Sequence, residues 1–117
     1  MVLQTLTLAE VKAKAREYYA AGKLTAQHPN PYSRMCVNNG ADGHRCAVAA
    51  AFNDELIEAF QKGTIGLGVA RGLVALDDES AISRIQSAHD EWAIASQHGF
   101  DNTPDKEAHF LTLIRED

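Results

Sequence analysis

Apolar residues recur at helical spacing in four stretches of the chain, and each stretch has local start or stop chemistry. In the first, Leu8, Val11, Ala15 and Tyr18 share a face while Lys12, Lys14, Arg16 and Glu17 fall mostly elsewhere. Thr7 followed by Glu10 is a capping box. Leu6 and Val11 have the spacing of a hydrophobic staple, and Gly22 suits the exit. The pattern predicts a helix over Leu8–Ala21. A second run, Arg45 to Phe52, starts abruptly and carries no charge after its arginine, so it predicts a helix buried nearly all round. Asn53 is placed to cap a short helix with Leu56, Ile57, Ala59 and Phe60, stopped by Gly63.

The third clear helix begins at Asp77 or Asp78, with Glu79 at the positive end of its dipole, and stops at Gly99. Ile82, Ile85, His89, Trp92 and Ser96 share one face, widened by Ala81, Ala88 and Ala95. Thr103 before Pro104 predicts a cap and a first helical proline, leading into Phe110, Leu111 and Ile114.

Between the first two helical runs the pattern changes. Lys23 to Arg34 contains Pro29 and Pro31 and predicts an irregular loop. Met35-Cys36-Val37 has the look of a short strand. Asn38-Asn39-Gly40 and Asp42-Gly43 tolerate positive φ, so a β-hairpin or tight turn is expected there. Gly66, Gly68 and Gly72 break the stretch from Thr64 to Leu76. No strand precedes Gly66, and the spacing does not match a phosphate-cradling loop. The predicted architecture is mainly α: one domain over residues 1–117, with four or five helices and a short hairpin after the first. By strict count it is α+β. The predicted core is Leu8, Val11, Tyr18, Val48, Phe52, Leu56, Phe60, Ile82, Ile85, Trp92, Phe110, Leu111 and Ile114.

Composition narrows the function classes. The 117 residues give room for one domain, and 45% hydrophobic content argues against disorder. The acidic excess, −5 overall, and the scattered Arg34, Arg45, Arg71 and Arg84 argue against nucleic acid as partner. The longest apolar run, Cys46 to Phe52, is far short of a membrane span, and no basic segment precedes an apolar stretch at the N-terminus. A cytoplasmic protein with reduced thiols is therefore expected.

Two places have the residue types for chemistry. One is Cys36 with the corner Gly43-His44-Arg45-Cys46. A cysteine opening a helix lies near orphan amides and the positive dipole end, which favours thiolate. The other is His89, between Ile85 and Trp92 on an apolar face. Cys46 and His89 would make a nucleophile and a base. Asp42, Asp90 and Asp101 are candidates to orient the imidazole, although Asp90 lies about 100° round the helix and is poorly directed for it. The plain alternative is that both residues are packed core: buried cysteine behaves as a small hydrophobe. Cys36, His44, Cys46 and His89 would also make a mixed zinc set, with spacing much looser than paired CxxC motifs. No cofactor is assigned from the residues. Arg34 and Arg45 flank the corner and could receive a carboxylate or phosphate, or pair with Asp42, Asp54 or Glu55.

Cys36, Asp42-Gly43, Arg45-Cys46-Ala47-Val48 and Ile85-Gln86-Ser87-Ala88-His89-Asp90 together resemble a group of small bacterial and phage-type proteins. That group carries C…DGxRCAxGAL followed by LQxxHD. Ala49 stands where the group has glycine, Ala51 and Phe52 replace its leucine pattern, and Ile85 replaces leucine. The resemblance spans about Cys36 to Trp92. It transfers no activity, but it nominates Cys46, His89 and Asp90 as site residues. A phage context would imply binding of a host or defence component. The leading expectation is a small accessory protein that binds a protein or small-molecule partner, with Arg34, Arg45 and Trp92 as ligand contacts. The rival is a cysteine-dependent hydrolase or acyl-transfer enzyme using Cys46 and His89.

Overall fold

Leu6 is the hinge between the two kinds of structure at the start of the chain. It ends strand β1 (Gln4–Leu6), and one residue later helix α1 (Leu8–Ala20) begins. The computed structural model describes residues 2–24, 43–59 and 69–116. Thr7 has extended backbone and its hydroxyl accepts from the Glu10 amide at 3.2 Å, the cap that the sequence predicts. Leu6 and Val11 are both fully buried, as a staple requires. Asp77 adds a cap from a distance: its Oδ1 accepts from the Leu8 amide at 2.8 Å. Gly22 follows the helix with φ +71°, a conformation that an L side chain rarely adopts.

Strand β1 pairs in parallel with β2 (Val74–Leu76), in the register Gln4↔Val74, Thr5↔Ala75 and Leu6↔Leu76. The segment predicted to form a hairpin, Met35 to Asp42, lies outside the described residues. So do Phe60, Gly63, Gly66 and Gly68. Among the described residues the β-structure is therefore this parallel pair, made by two segments that the sequence pattern did not mark as strands.

The run after Arg45 corrects an expectation. It is not a helix opening at Cys46. A single turn, closed by Ala50 N donating to Cys46 O at 3.0 Å, passes into a 3-10 helix at Ala49–Ala51. Phe52 then becomes extended, with ψ 139°. Side chains satisfy the carbonyls that a longer helix would have bonded. Arg45 Nη1 donates to Ala49 O (3.3 Å) and Phe52 O (3.0 Å), and Gln4 Nε2 donates to Ala51 O (2.7 Å). Asn53 then caps helix α2 (Asp54–Ala59), accepting from the Leu56 amide at 2.8 Å.

Helices α3 (Glu79–His98) and α4 (Thr103–Leu113) form the other half of the fold. Asp78 caps α3 through the Ala81 amide, and Gly99 terminates it at φ +66°. Thr103 is not the cap of α4 but its first residue, after Asn102. Its hydroxyl donates to Phe100 O at 2.6 Å, so it serves the turn before the helix. The core gathers Leu6, Val11, Leu24, Val48, Leu56, Ile82, Ile85, Phe110 and Ile114. Trp92 stacks on Phe110 at 5.5 Å with 22° between the rings. The structure is mainly helical, as the sequence predicts. No helix among the described residues is long and apolar enough to cross a membrane.

Candidate functional site

The turn after Arg45 places Cys46 against the middle of α3. Val48 N donates to Gln86 Oε1 at 3.1 Å, so the two segments that carry the sequence resemblance meet in space. Gln86 in turn donates from Nε2 to Asp90 Oδ1 at 2.8 Å, one helical turn further on. Next to this pair is His89, with no exposed surface at all.

Both ring nitrogens of His89 are engaged. Nε2 lies 3.0 Å from Leu24 O, and a carbonyl oxygen only accepts, so Nε2 carries a hydrogen. Nδ1 lies 3.2 Å from Asp90 Oδ1. A carboxylate oxygen likewise accepts, so that approach requires a hydrogen or a cation between the two atoms. The ring also packs edge-on to Trp92 (6.2 Å, 89°) and Phe110 (5.8 Å, 69°).

This arrangement corrects the expectation that Asp90 is poorly directed toward His89. The Cα–Cβ vectors of adjacent helical residues do diverge. Nδ1, however, is the ring nitrogen nearest the backbone, and Gln86 holds the Asp90 carboxylate beside it. Cys46 completes the group. It carries a buried thiol, and one donor atom from each of Cys46, His89 and Asp90 lies within 4.8 Å of the others. His44, weighed as a metal ligand from the sequence, is not in this group. Cys36 and Arg34 lie outside the described residues. Asp101 follows the end of α3 and is exposed.

The other nominated contacts have other partners. Arg45 holds the carbonyls of its own turn, and its guanidinium carbon lies 6.0 Å from the centre of the Tyr18 ring. Trp92 is 9% exposed and belongs to an aromatic stack with Tyr19 and Phe110. Leu24 and Gln86 are members of the site that residue-type reasoning missed. A backbone carbonyl has no sequence signature, whereas Gln86 was visible one turn before Asp90.

Two surface hollows are relevant. One runs along α3 and α4, about 640 Å³, lined by serines and by charges of both signs (Glu79, Arg84, Glu91). The other is a groove of about 390 Å³ between α1 and the end of α4. Tyr19, Leu111, Thr112 and Ile114 line it together with Arg16 and Arg115, and its lining is mostly apolar. Arg16 Nη1 donates to Ile114 O at 2.6 Å, which fixes the guanidinium there. Comparison of the chain with known protein families, with curated proteins and with solved structures found no match.

Proposed function

We propose that the protein acts by binding rather than by turnover, as a small accessory domain, and that its ligand is a small amphipathic carboxylate. The observation that carries this reading is the mostly apolar groove that has two arginines, Arg16 and Arg115, among its lining residues. Its size falls in the usual range for small-ligand sites, roughly 300–1,000 Å³. Arginine recognises carboxylate with paired N–H donors, and a fixed guanidinium loses little freedom on doing so. The chain as a whole is acidic, so this local positive pair would attract an anion that the rest of the surface repels.

The enzymatic reading has less support. A thiol nucleophile needs access and a ring nitrogen of its own. Cys46 is 2% exposed, His89 has no exposed surface, and the two ring nitrogens already face Leu24 O and Asp90.

Calorimetric titration with octanoate tests the binding reading. The expected result is saturable binding at one site, weakened about three- to tenfold in Arg16→Met and in Arg115→Met. Octanol should bind more weakly than octanoate. Equal affinity for the alcohol, or no saturable heat with octanoate, would overturn it.

A further inference from the structure

We infer that Cys46, His89 and Asp90 form a binding site for a divalent transition-metal ion of the zinc class. This site is separate from the groove and stands or falls independently of the carboxylate reading. Thiolate, imidazole and carboxylate are all ligands that Zn2+ accepts. In tetrahedral coordination with ordinary bond lengths, an imidazole nitrogen and a carboxylate oxygen lie about 3.3 Å apart. His89 Nδ1 and Asp90 Oδ1 are 3.2 Å apart before any adjustment. The sulfur-to-nitrogen edge is about 3.6 Å, and one donor atom from each of the three residues already lies within 4.8 Å of the others.

The atoms around the ligands fit the same purpose. Metal-bound histidine usually donates its other N–H to a carbonyl or carboxylate, which fixes the tautomer and aims the lone pair. His89 Nε2 makes that bond with Leu24 O, leaving Nδ1 for the ion. Ligating carboxylates are themselves hydrogen-bonded. Asp90 is held by Gln86, and Gln86 by the Val48 amide, which belongs to the same turn as Cys46. The chain of bonds thus ties Asp90 to the turn that supplies Cys46.

Charge balances as well. Zn2+ is matched by the Cys46 thiolate and the Asp90 carboxylate, with a neutral imidazole. An uncompensated charge would be very costly beside a fully buried ring. Entry is through Asp90, whose side chain is 41% exposed while the other two ligands are buried. A water molecule on that side supplies the fourth ligand.

Cobalt reports on such a site directly. Full-length protein stripped with chelator is titrated with Co2+, and competition by Zn2+ is followed. The expected result is one equivalent bound, with a thiolate-to-cobalt charge-transfer band and intense tetrahedral ligand-field bands. Zn2+ should bleach both. Cys46→Ser should lose the charge-transfer band, and Asp90→Asn should raise the cobalt Kd at least about tenfold. Asp90→Asn keeps side-chain size at a half-exposed position, so its folding can be checked by circular dichroism. Cys36→Ser should keep the band. The absence of a thiolate band in the native protein would overturn the inference. So would a band that survives Cys46→Ser, or one that Asp90→Asn leaves at native affinity.

Discussion

Replacing Trp92 with alanine is expected to lower the unfolding free energy by about 3–5 kcal/mol. Trp92 is 9% exposed and stacks on Phe110 at 5.5 Å. It also meets Tyr19 at 5.7 Å and the edge of His89 at 6.2 Å. One substitution therefore removes the ring that joins α1, α3 and α4. The loss has two parts, the lost transfer of a large apolar surface and the cavity that three rigid neighbours cannot fill. Urea denaturation followed by circular dichroism reads it. A loss below about 1 kcal/mol would mean that Trp92 is not in this stack.

The second large effect is at His89. His89→Ala removes a ring with no exposed surface and leaves Leu24 O without its imidazole donor. A stranded buried acceptor costs about 1–3 kcal/mol, and the lost packing against Trp92 and Phe110 adds to that. A total near 3 kcal/mol is expected, close to that of Trp92→Ala. His89→Gln keeps an amide donor and should lose less than the alanine variant. Stability within about 0.5 kcal/mol of native in His89→Ala would place His89 outside the core.

The parts of this fold legible in the sequence are those set by neighbours a few residues apart. Thr7, Asp78 and Gly99 act on amides and carbonyls within one turn, so their roles follow from spacing alone. Thr103 was misread by one place because either it or Asn102 can precede Pro104 at a helix start. The strands could not be read. Each is three residues long, too short to show alternation, and the partner of Gln4 is Val74. The turn at Cys46 misled for a related reason. Its alanines favour helix, but Arg45 and the distant Gln4 take the carbonyls that would have extended one.

The candidate site divides the same way. Cys46 and His89 stood out by residue type. What joins them is long-range: Leu24 O reaches His89, and the Val48–Gln86–Asp90 chain crosses from the turn to α3. Asp90 was named as a site residue but read as poorly directed, because helix geometry gives the direction of Cβ but not the reach of a carboxylate held by its i−4 neighbour.

The convergence at His89 is the claim on which this account of the site depends, and the imidazole nitrogens can be observed directly. Long-range proton–nitrogen correlation spectra on the labelled protein report which nitrogen carries hydrogen. The account predicts a slowly exchanging hydrogen on Nε2, held by Leu24 O, that persists when Zn2+ is added while the Nδ1 resonance shifts. A His89 ring with Nε2 unprotonated, or one exchanging freely with solvent, would contradict it.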